Sequence, residues 1–251
     1  MRQQFLLFVV VVAALAVAGC ETTTDSYNPF KIDQEKFYAT TKTIALAPIV
    51  VQANVEASEQ KKDKFESHIE NKLREAGFSV VPSKEYGDIW KRMSEQTGGY
   101  FDPVTGNRDE AKFKSIQERT FQELERKFNV NAILYSSILI VKASFNNYVA
   151  EWDGTEESFD ARHGFIQFLD TSMSSGTIGA LSMQALIKDI DGATLYVNRG
   201  GIQVVAKYIN GFVPIPKGEL LLNEERNVGA VNIALTPFIS KSKPTEAPQS
   251  Q

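Results

Sequence analysis

The hydrophobic period of this chain changes from helical to extended near Val130, and that change limits the fold more than any other feature. Before it, apolar residues recur mostly at helical spacing; after it, they run in extended stretches rich in Ile, Leu and Val. Helices gathered in the first half and strands in the second predict an α+β fold, a layered mixed sheet with a β-α-β start. The start is the run Thr43-Ile44-Ala45-Leu46-Ala47-Pro48-Ile49-Val50-Val51, whose near-continuous apolar character suits a strand buried on both faces. Pro48 lacks a backbone N–H and predicts a strand end or bulge beside it. A helix is expected over 58–76, with Phe65, Ile69, Leu73 and Ala76 on one face and Gly77 as its stop. A short strand over 78–82 follows.

Ser83 is the expected N-cap of a second helix carrying Tyr86, Ile89, Trp90 and Met93. A third, over 109–128, buries Phe113, Ile116, Thr120, Leu124 and Phe128, and Asn129 suits a left-handed cap. Extended segments are then predicted over 131–148, 164–169, 181–188, 194–198 and 201–208, with Asp189-Ile190-Asp191-Gly192 as a hairpin turn. Residues 211–218 read as a loop, and 224–238 as a closing helix with mostly antiparallel strands before it.

The amino-terminal end carries a different message. An apolar run of 14 residues, Phe5 to Ala18, stands behind Arg2. It is shorter than the roughly 20 residues that span a bilayer, and it suits the core of a signal peptide. The sole cysteine follows at position 20. Val17-Ala18-Gly19-Cys20 resembles the lipobox of bacterial lipoproteins, which implies cleavage before Cys20, thioether lipidation of its sulfur and acylation of the new amino terminus with a fatty acid such as palmitate. A plain secretory signal and an uncleaved anchor are the alternatives. Glu21, in place of aspartate, favours the outer membrane with the domain facing the periplasm. The expected organisation is a leader over 1–19, a flexible tether over 20–41, one domain over 42–239 and a disordered tail over 240–251. With no second cysteine, no disulfide supports the fold. A net charge of −4 and a pI near 5.4 leave no electrostatic footprint for nucleic acid or for anionic lipid headgroups.

Ile44-Ala45-Leu46-Ala47-Pro48, the helix ending Leu73-Arg74-Glu75-Ala76-Gly77-Phe78, and Val80-Val81-Pro82 resemble the start of the TolB amino-terminal-like fold. Curli-export (CsgG-like) lipoproteins and outer-membrane lipoprotein activators of peptidoglycan synthases are similar. Asn131-Ala132-Ile133-Leu134-Tyr135 and Asp189-Ile190-Asp191-Gly192-Ala193-Thr194-Leu195-Tyr196 extend the resemblance to about residues 43–206. It implies an envelope protein that binds another envelope protein or copies of itself, as a scaffold, as an oligomeric export subunit, or as an enzyme or regulator of cell-wall synthesis.

Reactive constellations are sparse. Lipidation would consume Cys20. His68 lies between Phe65 and Ile69 and reads as a boundary side chain, whereas an Asp160–His163 pair could orient an imidazole but has no nucleophile elbow beside it. Asp102, Asn107, Asp109 and Glu110 offer hard oxygen ligands without EF-hand spacing; a turn followed by a helix cap explains the same residues. The acidic run 151–160 reads as a solvated loop, and 172–180 as a mobile loop lacking the P-loop lysine. No catalytic, cofactor or metal residue is therefore assigned. Tyr100, Phe101, Trp152 and Phe212, aromatics in expected turns, are the candidate partner contacts.

Overall fold

Strand β1 (Thr43–Leu46) shows why the apolar run is continuous: its alternate side chains enter two different cores. Ile44 and Leu46 pack with one set of helices, and Ala45 with another. The computed structural model is described for residues 27–162 and 175–239. Within them, α1 (Gln34–Thr40), β1, β2 (Val50–Val51), α2 (Glu59–Glu75), β3 (Ser79–Val81), α3 (Ser83–Thr97) and α4 (Glu110–Phe128) precede the long strand β4 (Ala132–Asn146). Then come β5 (Val149–Trp152), β6 (Thr155–Ser158), β7 (Gly176–Asp189), β8 (Thr194–Val204), β9 (Ala206–Tyr208), β10 (Phe212–Pro214), a 3-10 turn (Lys217–Glu219), α5 (Glu224–Ala234) and α6 (Thr236–Ile239). The α+β class with a mixed sheet and a carboxy-terminal helix is as expected.

Strand β4 organises the sheet. Along one edge it pairs in turn with β1 and β2, both parallel, and with β5, antiparallel; along the other it pairs with β7 over fourteen positions. Strand β3 adds to β1 in parallel, and β8 adds to β7. Pro48 sits in the gap between β1 and β2, where the ladder is interrupted. One face of the sheet is covered by α2 and α5, through Phe65, Ile69, Leu73, Ala230, Val231 and Ala234. The other is covered at its start by α3 and α4, through Tyr86, Ile89, Met93, Ile116 and Leu124.

The far end of the sheet curls. Beyond the β4–β5–β6 meander, Gly201 N donates to Asp153 O (3.1 Å), Tyr208 N to Phe159 O (2.8 Å) and Ala161 N to Tyr208 O (2.9 Å). Through these bonds the meander swings round to meet β8 and β9. The result is a small barrel-like end filled by Ala143, Phe145, Tyr148, Ala150, Trp152, Phe159, Ile178 and Val204.

Several expectations need correction. The described part of the supposed tether, 27–41, belongs to the domain. Lys31 N donates to Leu195 O (2.9 Å), Val197 N donates to Pro29 O (2.9 Å), and Phe30 and Phe37 are in the core. The segment docks because Phe30, in an extended bridge, and Phe37, in α1, meet Tyr38, Phe78, Tyr196 and Phe238 in one aromatic cluster. Pro82, not Ser83, occupies the N-cap of α3, since Ser83 turns its hydroxyl to Glu66. Residues 176–180 form the start of β7 instead of a loop, because β4 is long enough to pair with them. The two predicted strands 194–198 and 201–208 are one strand, β8, through Gly200 and Gly201, followed by β9. The acidic run is largely the β5–β6 hairpin, and the closing helix breaks at Leu235. The predicted strand 164–169, His163 and the tail 240–251 lie outside the described residues, as do Cys20 and the leader.

Candidate functional site

The polar residues singled out in the sequence are mostly committed to local structure. Asp102 Oδ1 accepts from Val104 N (2.9 Å) and Thr105 N (2.7 Å), and these backbone donors hold its carboxyl below the usual range. Asp109 caps α4 by accepting from Lys112 N, and Glu110 pairs with Arg108. Asn107 sits in the same turn, its carbonyl accepting from Asp102 N (2.8 Å). Among the described residues, no group of three or more His, Cys, Asp or Glu side chains is arranged to hold a metal ion.

His68 is half-buried on α2, its Nε2 lying 2.9 Å from Glu224 Oε1, which joins α2 to the first turn of α5. That hydrogen bond, with Lys64 assisting, keeps the Glu224 carboxyl below its usual range. Asp160 is buried against Arg162, with Oδ2 2.9 Å from Nη2. Arg162 also covers the rings of Tyr148 and Tyr208 at 4.5 and 5.1 Å. Glu157, expected in a solvated loop, accepts from Val204 N (2.8 Å) and pairs with Arg226. The signal for that role is the alternation Thr155, Glu157, Phe159, which only barrel closure turns inward.

Of the aromatic candidates, Trp152 is withdrawn from any partner. It is 7% exposed, and its indole N–H donates to Leu181 O (3.1 Å). Tyr100 is half-buried against Trp90 and Phe113. Phe101 stays 57% exposed at the α3–α4 connection, beside Val104 at 91%.

Phe212 belongs to a separate feature. Strands β9 and β10 form their own two-stranded hairpin, pairing Phe212 with Tyr208 and Val213 with Lys207. Phe212 leans on Phe159 and Tyr208 with ring centroids 5.9 and 5.8 Å apart, yet remains 48% exposed; Ile209 and Val213 are exposed to a similar degree. The hairpin thus projects an apolar tip from the barrel end. Sequence reading missed it because Gly211, Pro214 and Pro216 suggested an irregular loop.

Two clefts flank this end. One, of about 610 Å³, is lined by Tyr27, Asp153, Gly154, Val197, Asn198, Arg199 and Ile233, where the docked amino-terminal segment meets the edge of β8. The other, of about 450 Å³, includes Glu157, Asp160, Gln203, Lys207, Glu219 and Arg226, with charges of both signs. Near the start of β4, burial raises the hydroxyl pKa values of Tyr86 and Tyr135, whose side chains are hydrogen-bonded to each other.

No protein-family model and no curated protein matches the chain. Among solved structures it is similar to lipoprotein GNA1162 from Neisseria meningitidis, at 15% identity over 64% of this chain and 81% of that one, with a TM-score of 0.31. It is also similar to a PelC dodecamer from Paraburkholderia phytofirmans, at 12% identity over 79% of this chain and 90% of that one, with a TM-score of 0.35. Likenesses this distant carry no functional conclusion.

Proposed function

We propose that the chain is a lipid-anchored envelope protein, held at Cys20 on the outer membrane and facing the periplasm, whose domain serves as a non-enzymatic interaction module. The observation that carries this reading is the position of the only cysteine, directly after Val17-Ala18-Gly19 and the apolar leader. No described helix is long and apolar enough to cross a membrane, so attachment through Cys20 has no competitor among those helices. Three acyl chains on one residue would hold the protein persistently, whereas a single chain anchors only marginally. Confinement at the membrane raises the effective concentration of neighbouring partners, so a weak protein contact suffices. The exposed pair Phe101 and Val104 is the surface proposed for that contact, and self-association through it is the second reading.

Cys20→Ala tests the anchor. The variant is expected to lose palmitate incorporation and to leave the membrane fraction; a labelled, membrane-bound variant refutes it. For the second reading, a complex well above monomer size in detergent, lost on Phe101→Ser, is the expected result.

A further inference from the structure

We infer that the β9–β10 hairpin is a second, direct contact with the lipid bilayer, dipping Ile209, Phe212 and Val213 into its interface. The inference rests on the anchored reading above and adds which end of the domain meets the membrane. Two independent features point there.

The first is the direction of the docked amino-terminal segment. Phe30 bridges Tyr196 in antiparallel sense, Val197 N donates to Pro29 O, and the Tyr27 hydroxyl donates to Val197 O (2.8 Å). Moving toward the amino terminus, the segment therefore advances along β8 in the direction of Val204, which is toward β9 and β10. Cys20 stands seven positions before Tyr27. Seven residues reach at most about 25 Å even when fully extended. An anchor at Cys20 thus keeps the bilayer within about 25 Å of Tyr27, and the segment leading to it heads toward the hairpin end of β8 and away from the turn at Asp191.

The second feature is the chemistry of the hairpin. Its tip, Ile209-Asn210-Gly211-Phe212-Val213, carries no charge, and its three apolar side chains are each 45–48% exposed. Lys207 and Lys217 flank the tip, both exposed, with exposed Glu219 in the same turn as Lys217. An uncharged apolar tip of this kind suits the membrane interface, where such segments bury about 5–10 Å deep. The aromatic packing of Phe212 on Phe145 and Phe159 gives the tip a firm base.

The test uses the full-length lipidated protein on vesicles of phosphatidylethanolamine and phosphatidylglycerol. Cys20 is acylated, so Asn210→Cys and Asp191→Cys each accept a single fluorophore. Quenching by nitroxide lipids is expected to be several-fold stronger at position 210 than at 191, with quenching by aqueous iodide in the reverse order. Ile209→Asp with Val213→Asp is expected to abolish the lipid quenching while leaving the thermal unfolding unchanged. Equal lipid quenching at the two positions overturns the inference. So does a label at 210 shielded from both quenchers, which identifies a protein partner or a second copy as the occupant. A parallel arm holds the Cys20→Ala chain on nickel-chelating lipid through an amino-terminal histidine tag. Lipid quenching at 210 in that arm, when native Cys20 proves unacylated, means the anchor has failed and the hairpin contact has not; its absence in both arms defeats the hairpin.

Discussion

Gly200 shows how much a single position decides in this fold. A β-carbon there would lie 2.0 Å from the carbonyl oxygen of Ala230, so α5 crosses β8 at backbone contact. The limit is space, not conformation, and the obstacle is main chain that no side-chain rotation can clear. Gly200→Ala is expected to destabilise the domain by about 3 kcal/mol, at the upper end of overpacking effects, as read by urea unfolding. Gly229, in α5 itself, has nothing within 4 Å of the same added atom. Gly229→Ala is therefore the control, expected to stabilise by about 0.5–1 kcal/mol through helix propensity. A pair of variants that shift stability equally would refute the close-packing account. Nothing in the sequence separates these two glycines, since the difference lies wholly in what crosses them.

At the scale of elements, α1 and the segment before it are the largest departure from expectation. Residues 27–41 are polar on average, and their aromatic residues have no regular period, so they read as a tether. Yet Phe37 is fully buried, its ring 5.6 Å from that of Phe238, and Tyr38 donates to Pro237 O across the same junction. The segment pairs with β8, which would otherwise end the sheet as an open edge. Phe37→Ala is expected to cost about 3–5 kcal/mol, the range for a buried phenylalanine, and to raise amide exchange at Lys31 and Val197. Loss of exchange protection without loss of stability would mean that the segment covers the core but does not support it.

At the scale of the molecule, the long strands decide how its parts are coupled. The first half of β4 and the second half of β7 form the floor of both helical layers, while their other ends wall the barrel. Neither part closes without the other. Trp90 reports on the helical layer and Trp152 on the barrel, which provides a direct measurement. Single-tryptophan variants, Trp90→Phe and Trp152→Phe, are expected to show coincident urea midpoints after correction for each substitution's own effect. Separate transitions would show that the barrel end unfolds by itself.

The sequence by itself determined whatever depends on neighbours along the chain. Helix periods, the αL cap at Asn129, the interruption at Pro48 and the turn at Asp189-Ile190-Asp191-Gly192 are local steric and hydrogen-bonding choices, and each was legible in the residues. Only the tertiary structure decided the rest: the burial of Trp152, the inward turn of Glu157, the docking of 27–41 and the exposed tip of β9–β10. Those outcomes follow from closure of the sheet, which brings together groups far apart in the chain, such as Glu157 with Arg226 and Phe30 with Phe238. Periodicity reports which face of an element is apolar; which second element arrives to cover it depends on the path of the whole chain.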